Sequence, residues 1–113
     1  MKNKKLNISV IGLGVGYAHA KAIKKEKNLN LLSIFDVNKQ KSKKLSKILN
    51  CDYKKKFEDI FENKELGGVV IASPDDKHCE QIITSIKNSK SFFCEKPFCN
   101  NYDELIKIKK VLE

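Results

Sequence analysis

Asn7 to Lys27 read NISVIGLGVGYAHAKAIKKEK. A short apolar run, Asn7 to Ile11, ends in Gly12, Gly14 and Gly16. It then gives way to an amphipathic segment predicted to be helical from Tyr17 to Lys27, with Ala18, Ala22 and Ile23 near one face. A strand, a glycine turn and a helix in that order open a βαβ unit. Working outward, the alternation repeats. Leu29 to Phe35 is a second apolar run, ending in Asp36, and Lys39 to Leu49 reads as a helix with a stripe at Leu45, Ile48 and Leu49. Cys51 to Lys54 is expected as a short third strand and Phe57 to Phe61 as a brief helical turn. Gly68 to Ala72 is a buried fourth strand.

Ser73-Pro74-Asp75-Asp76 has the character of a helix start, with proline and two carboxylates where the helix dipole favours negative charge. Cys79, Ile82, Ile83 and Ile86 supply that helix's apolar face, and Ser91 to Cys94 follows as a fifth strand. A last helix begins after Asn101, which with Glu104 has the spacing of a capping box, and it runs through Leu105, Ile108 and Leu112. Five strands alternating with helices predict an α/β fold: a doubly wound parallel sheet in three layers with strand order 3-2-1-4-5. Ligands of such sheets bind at the carboxyl ends of the strands, beside the switch point between the first and fourth.

A chain of 113 residues has room for one domain, and 41% hydrophobic residues are enough for a core. The longest apolar run, Val69 to Ala72, is far too short to span a bilayer, and the lysine-rich start leads into a strand pattern rather than a signal peptide. A cytoplasmic protein without a membrane partner is expected. The net charge of +9 comes entirely from lysine, with no arginine, in clusters at Lys2/Lys4/Lys5, Lys24/Lys25/Lys27, Lys39 to Lys47 and Lys54 to Lys56. Lysines spread over several elements, without arginine or tryptophan, read as solvated faces rather than a nucleic-acid surface. Cys51, Cys79, Cys94 and Cys99 form no Cys-x-x-Cys pair and lack a histidine at finger spacing, so reduced thiols are expected and a metal site is not.

The conspicuous polar residues fall at strand ends. Gly12-Leu13-Gly14-Val15-Gly16 is a turn tight enough to bring backbone N–H groups and a helix N-terminus against a pyrophosphate. Its third glycine falls one place earlier than in G-x-G-x-x-G, with Tyr17 in the usual place. Asp36, about twenty residues on, is placed to accept hydrogen bonds from a ribose diol. A carboxylate there repels a 2'-phosphate, which favours NAD over NADP, although Lys39 or Lys41 could offset it. Capping of the next helix is the competing role for Asp36. Ser73 and Pro74, with His78 a turn later, close the fourth strand, and Glu95, Lys96 and Pro97 close the fifth; both groups are expected to border one crevice. A lysine beside a glutamate can orient a hydroxyl or the nicotinamide amide. His78 is a candidate acid or base or, alternatively, a surface or capping residue; His19 is a weaker candidate.

Together, Ile11-Gly12-Leu13-Gly14-Val15-Gly16-Tyr17-Ala18-His19-Ala20, Asp36, Ala72-Ser73-Pro74 with His78, and Glu95-Lys96-Pro97 resemble the N-terminal, Rossmann-like NAD(P)-binding domain of the Gfo/Idh/MocA oxidoreductases. The resemblance runs from Leu6 to Val111, and Glu-Lys-Pro is its most specific element. It implies residues 1–113 as a dinucleotide-binding domain, with hydride transfer to or from a sugar or polyol when a substrate domain is joined to it, and Lys96 near nicotinamide and substrate. That second domain is expected to be absent from this chain, so no turnover is expected from it alone. The alternative is a stand-alone, non-catalytic nucleotide-binding or regulatory module. A receiver domain lacks support because glycines stand where its acidic pair belongs, and a methyltransferase because Val10 stands where its acidic residue belongs. Without a sixth strand, Ser91 to Cys94 is expected as an exposed edge carrying Phe92 and Phe93, favouring self-association.

Overall fold

The computed structural model describes residues 5–113; Lys2 and Lys4 of the first lysine cluster lie outside the described residues. In chain order the elements are β1 (Leu6–Ile11), α1 (Val15–Lys25), β2 (Leu29–Phe35), α2 (Lys39–Leu49), β3 (Asp52–Tyr53), β4 (Gly68–Ile71), α3 (His78–Lys87), β5 (Ser91–Cys94) and α4 (Tyr102–Leu112). Short 3-10 turns occupy Phe57–Glu62 and Asp75–Lys77. The sheet has the expected order, β3-β2-β1-β4-β5, and every pairing is parallel.

Alternation along the strands divides the core into two layers. Val10, Ile34 and Val70 face one side, with Ala20 and Ile23 of α1 and Leu45 and Leu49 of α2. Ile11, Phe35, Val69 and Ile71 face the other, where Phe57, Ile60, Ile82 and Ile108 cover them. Both faces of the central strands are therefore dry, as a parallel sheet requires. β3 is shorter than the Cys51 to Lys54 expected, but Lys54 N still donates to Ile34 O at 2.9 Å and extends the pairing.

The helices correct the sequence expectation in detail. α1 starts at Val15 instead of Tyr17, and its buried residues are Gly16, Ala20 and Ile23; Ala18 and Ala22 face solvent. In α2, Ile48 is 59% exposed, and the buried stripe is Ser42, Leu45, Ser46 and Leu49. Leu105 and Leu112 of α4 are exposed and only Ile108 is buried. The expected cap at Asn101 is present: its side chain accepts from Glu104 N at 2.9 Å, while Glu104 Oε1 accepts from Asn100 N instead of closing the reciprocal bond on Asn101. The chain from Pro74 into α3 passes through a 3-10 turn before the α-helix proper begins at His78.

What matters for function is the register. Ile11 pairs with Phe35 and with Ile71, and Ile71 pairs with Cys94, so the last residues of β1, β2, β4 and β5 lie level. Backbone bonds continue one residue further: Gly12 N donates to Phe35 O, Ala72 N to Ile11 O and Glu95 N to Ile71 O, at 2.7, 2.8 and 2.9 Å. The residues that follow, Gly12, Asp36, Ala72-Ser73 and Glu95, form one row along the carboxyl edge of the sheet.

Candidate functional site

A crevice of about 410 Å³ opens at that edge, between the ends of β1 and β2 and the start of α3. The glycine turn Gly12–Gly14 forms its floor, and Asp36 and Val37 stand on the β2 side. Ser73 and Pro74 beyond β4, with Lys77, Glu80 and Gln81, form the facing wall; Phe57 and Glu58 complete it.

Each glycine of the turn has a different job. Gly12 has φ +92°, and a Cβ there would lie 2.5 Å from Ser73 N and 2.6 Å from the Ala72 carbonyl, so only glycine lets β1 turn against the end of β4. At Gly16 a Cβ would lie 2.9 Å from Val10 Cγ1 and 3.3 Å from Ala72 Cβ, which makes it the glycine that seats α1 against the sheet. The shifted third glycine thus keeps the packing role despite its early place. Gly14 has nothing within 4 Å of the same position, and it is the N-cap of α1 with no side-chain cap bond. An open backbone at a helix N-terminus, with no side chain competing for its N–H groups, suits an anionic group.

Asp36 binds the turn from the neighbouring strand. Its Oδ2 accepts from Leu13 N at 2.7 Å and its Oδ1 from Asn38 N at 2.9 Å. The capping role weighed for Asp36 falls to Asn38, whose side chain accepts from Lys41 N at 3.0 Å. Asp36 is half-buried and keeps a face on the crevice. Lys39 and Lys41 do not line it; Asp36, Glu58 and Glu80 do, against Lys77 as the single cation among the described residues.

His78 is 1% exposed, which excludes the surface role considered for it. Its Nδ1 lies 2.6 Å from Pro97 O and its Nε2 2.8 Å from Ser73 O. The ring donates to one carbonyl in either neutral tautomer and to both as the cation, and so ties the chain after β4 to the chain after β5. We expect His78→Ala, which removes the ring from between the two carbonyls and leaves a cavity, to cost about 2–4 kcal/mol in urea unfolding. An unchanged midpoint would contradict the tie. Glu95 is held from the other side: its Oε2 lies 2.5 Å from His19 Nε2, and the His19 ring packs on Phe93 with centroids 5.5 Å apart. Asn100 Nδ2 donates to Asp75 O at 3.1 Å. Lys96, itself exposed, therefore sits in a turn anchored at β4, α1 and α3.

Of the sequence candidates, Gly12, Leu13, Gly14, Asp36, Ser73 and Pro74 meet in the crevice. Val15 and Gly16 begin α1 behind it, His78 lies beneath its wall, and Glu95, Lys96 and Pro97 stand one strand further along the row, outside the lining. Sequence reasoning missed Val37, Phe57, Glu58, Lys77, Glu80 and Gln81; the available signal was the helical spacing from Lys77 to Gln81. Burial pushes the thiols of Cys51 and Cys94 up to about 11 and raises that of Cys79, so these groups stay protonated at neutral pH and are poor nucleophiles. Among the described residues no three His, Cys, Asp or Glu side chains are grouped to hold a metal ion, and no helix is long and apolar enough to cross a membrane.

A parallel sheet whose first strand turns on glycines into a bare helix N-terminus, with a carboxylate ending the second strand, defines a dinucleotide-binding domain of the Rossmann type. The chain belongs to the Gfo/Idh/MocA oxidoreductases: the family's NAD-binding Rossmann-fold model matches residues 6–113. It is 28% identical over 107 residues to glucose-6-phosphate 3-dehydrogenase of Bacillus subtilis, covering 94% of this chain and 30% of that protein. It is 32% identical over 99 residues to myo-inositol 2-dehydrogenase of Thermotoga maritima, covering 85% and 29%. The crystal structure of apo scyllo-inositol dehydrogenase from Lactobacillus casei superposes with a TM-score of 0.91 at 25% identity, over 99% of this chain and 34% of that one. The chain thus spans about a third of the length of these relatives.

Proposed function

We propose that this chain is the cofactor-holding part of an oxidoreductase that moves a hydride to or from a sugar or polyol, with a second domain choosing the substrate. The observation that carries this reading is the clasp of Asp36 on the glycine turn, which presents a ribose acceptor and a diphosphate cradle on one crevice. Gly12 to Gly16 would hold the diphosphate, Asp36 the adenosine ribose, and Ser73 and Pro74 the facing side. Bound NAD would supply the hydride acceptor or donor. Lys96, with Glu95 and Pro97 in the anchored turn, is the residue assigned to nicotinamide and substrate, and His78 positions that turn through the carbonyls it holds. That relatives of this chain are sugar-phosphate and inositol dehydrogenases supports a sugar or polyol as the substrate class. Four unpaired cysteines suit the reducing cytoplasm.

The lining carboxylates Asp36, Glu58 and Glu80 favour NAD over NADP, because a 2'-phosphate would meet net negative charge. Calorimetry on the purified chain is expected to show NAD+ binding, NADP+ binding at least about tenfold weaker, and no polyol oxidation. Saturating NAD+ should raise the melting temperature by roughly 10 °C. No heat and no thermal shift at millimolar NAD+ would sink the reading. One observation, that Lys96 lies outside the crevice lining, favours the alternative of a non-catalytic binding module; turnover restored by a separately added substrate domain would reject it.

Self-association is a second part of the proposal. β5 is an edge of the sheet and Phe93 on it is 55% exposed, so both unpaired backbone groups and apolar surface face outward. Light scattering is expected to show mass rising with concentration, and Phe93→Lys to suppress it; a strict monomer at high concentration would refute it.

A further inference from the structure

Gln81 is polar, yet it is only 3% exposed, and it sits in the wall of the crevice one helical turn beyond Lys77. Burying an amide is costly unless both its ends have partners. One end does: Ser73 Oγ donates to Gln81 Oε1 at 2.5 Å, a bond from the chain after β4 to α3. The other end, Nε2, donates to no acceptor among the described residues. Yet no side-chain nitrogen or oxygen there is both sealed from solvent and without a partner, so Nε2 opens onto the crevice that Gln81 lines. With Oε1 taken by the Ser73 hydroxyl, the NH2 is the end left without a partner among the described residues. The NH2 is thereby left to the crevice, which the Asp36 carboxylate also lines.

We propose that Gln81 is a nucleotide-contacting residue whose Nε2 donates to an acceptor on the adenosine half of the dinucleotide, and that Ser73 is its positioning residue. The inference deepens the cofactor reading above and rests on it. The adenosine half is indicated because Gln81 shares its crevice with Asp36 and Val37 at the end of β2, while Glu95 and Lys96 stand one strand away. A donor aimed at that space complements Asp36: the carboxylate takes the ribose hydroxyls, and the amide supplies the N–H that the carboxylates lining the crevice cannot.

The test is calorimetric titration of the full chain with NAD+, ADP, adenosine and nicotinamide mononucleotide. Gln81→Glu keeps the acceptor for Ser73 and replaces the outward NH2 by oxygen, and it adds a negative charge that the neutral Gln81→Met does not. It is expected to weaken NAD+ and ADP by the same factor, about tenfold or more, and to leave nicotinamide mononucleotide unchanged. Gln81→Met, an unbranched apolar replacement, should weaken both by about three- to tenfold, and it keeps the question open to measurement if the buried glutamate prevents folding. Ser73→Ala should give a smaller loss that Ser73→Thr restores. In Gln81→Met, which adds no charge, a loss confined to ADP and NAD+ places the acceptor on a phosphate, whereas a loss shared by adenosine places it on the base or ribose; either supports the contact. Variants that bind NAD+ and ADP within twofold of the parent overturn the proposal and leave the cofactor reading standing. A parent that binds neither overturns both.

Discussion

Gly12→Ala is expected to lose about 2–4 kcal/mol of stability and all measurable affinity for NAD+. Two costs combine. A side chain at φ +92° is strained whatever the space around it, and here the added Cβ meets backbone, 2.5 Å from Ser73 N and 2.6 Å from the Ala72 carbonyl. That backbone cannot step aside cheaply, because Ala72 N is bonded to Ile11 O and Ser73 O is within 2.8 Å of His78 Nε2. The turn must move instead, and Leu13 N moves with it away from Asp36. Gly14→Ala is the matching control. Gly14 has negative φ and open space, so alanine there should leave the urea midpoint nearly unchanged while its methyl group intrudes where the dinucleotide's diphosphate would lie. Urea unfolding and NAD+ titration of the pair separate strain from ligand contact. A Gly12→Ala chain with the parent's midpoint would show that the close approach to β4 is not what this glycine serves.

The strand order was legible in the sequence because strands buried on both faces read as plain apolar runs, and the turns between them carry glycine, proline or aspartate. The helix faces were less so, and the errors share a cause. A hydrophobic stripe was expected at Leu45, Ile48 and Leu49, but the buried positions of α2 are Ser42, Leu45, Ser46 and Leu49. Ser42 Oγ donates to Asp36 O and Ser46 Oγ to Lys43 O, so both hydroxyls go into the core already satisfied and Ile48 is left outside. In α3 the most buried residues include His78, Gln81 and Ser85, each with a backbone or side-chain partner. Residue hydrophobicity cannot anticipate that, since the partners lie on other elements or on the helix's own backbone. Gly16 and Ala20 were overlooked on α1 for a related reason: small residues bury because the helix approaches closely, not because they repel water.

The candidate site divides along the same line. The glycines and Asp36 could be placed from spacing alone, because each is required by its position at a strand end. Their neighbours from the 3-10 turn and from α3, Phe57 and Gln81 among them, reach the crevice only through tertiary packing. Glu95 and Lys96 were expected to border the crevice, and the register places them beside its lining. β5 lies one strand beyond β4, so its end continues the row while α3 walls off the space in front of β1 and β2.

Asp36→Ala is expected to weaken NAD+ binding by about 10- to 100-fold and to bring NAD+ and NADP+ affinities within about threefold of each other. The carboxylate does two things at once, and the substitutions can part them. It accepts the Leu13 N–H in a region where Leu13 is 1% exposed, so its removal leaves a donor with little access to water, at about 1–3 kcal/mol of stability. The Asn38 N–H is exposed and recovers its bond from solvent. Asp36→Asn is nearly isosteric. Its single carbonyl oxygen can keep the Leu13 bond, so most of the stability should return, but the negative charge that disfavours a 2'-phosphate does not. The asparagine chain is therefore expected to melt near the parent and yet discriminate poorly between the two cofactors. Discrimination should not reverse in either variant, because Glu58 and Glu80 still line the crevice and, among the described residues, Lys77 is its only cation. If Asp36→Asn keeps the parent's preference for NAD+, the carboxylate's charge is irrelevant to the cofactor and Asp36 serves only to hold the turn. If Asp36→Ala unfolds no more readily than the parent, the clasp on Leu13 carries no stability and the ribose contact alone accounts for the residue.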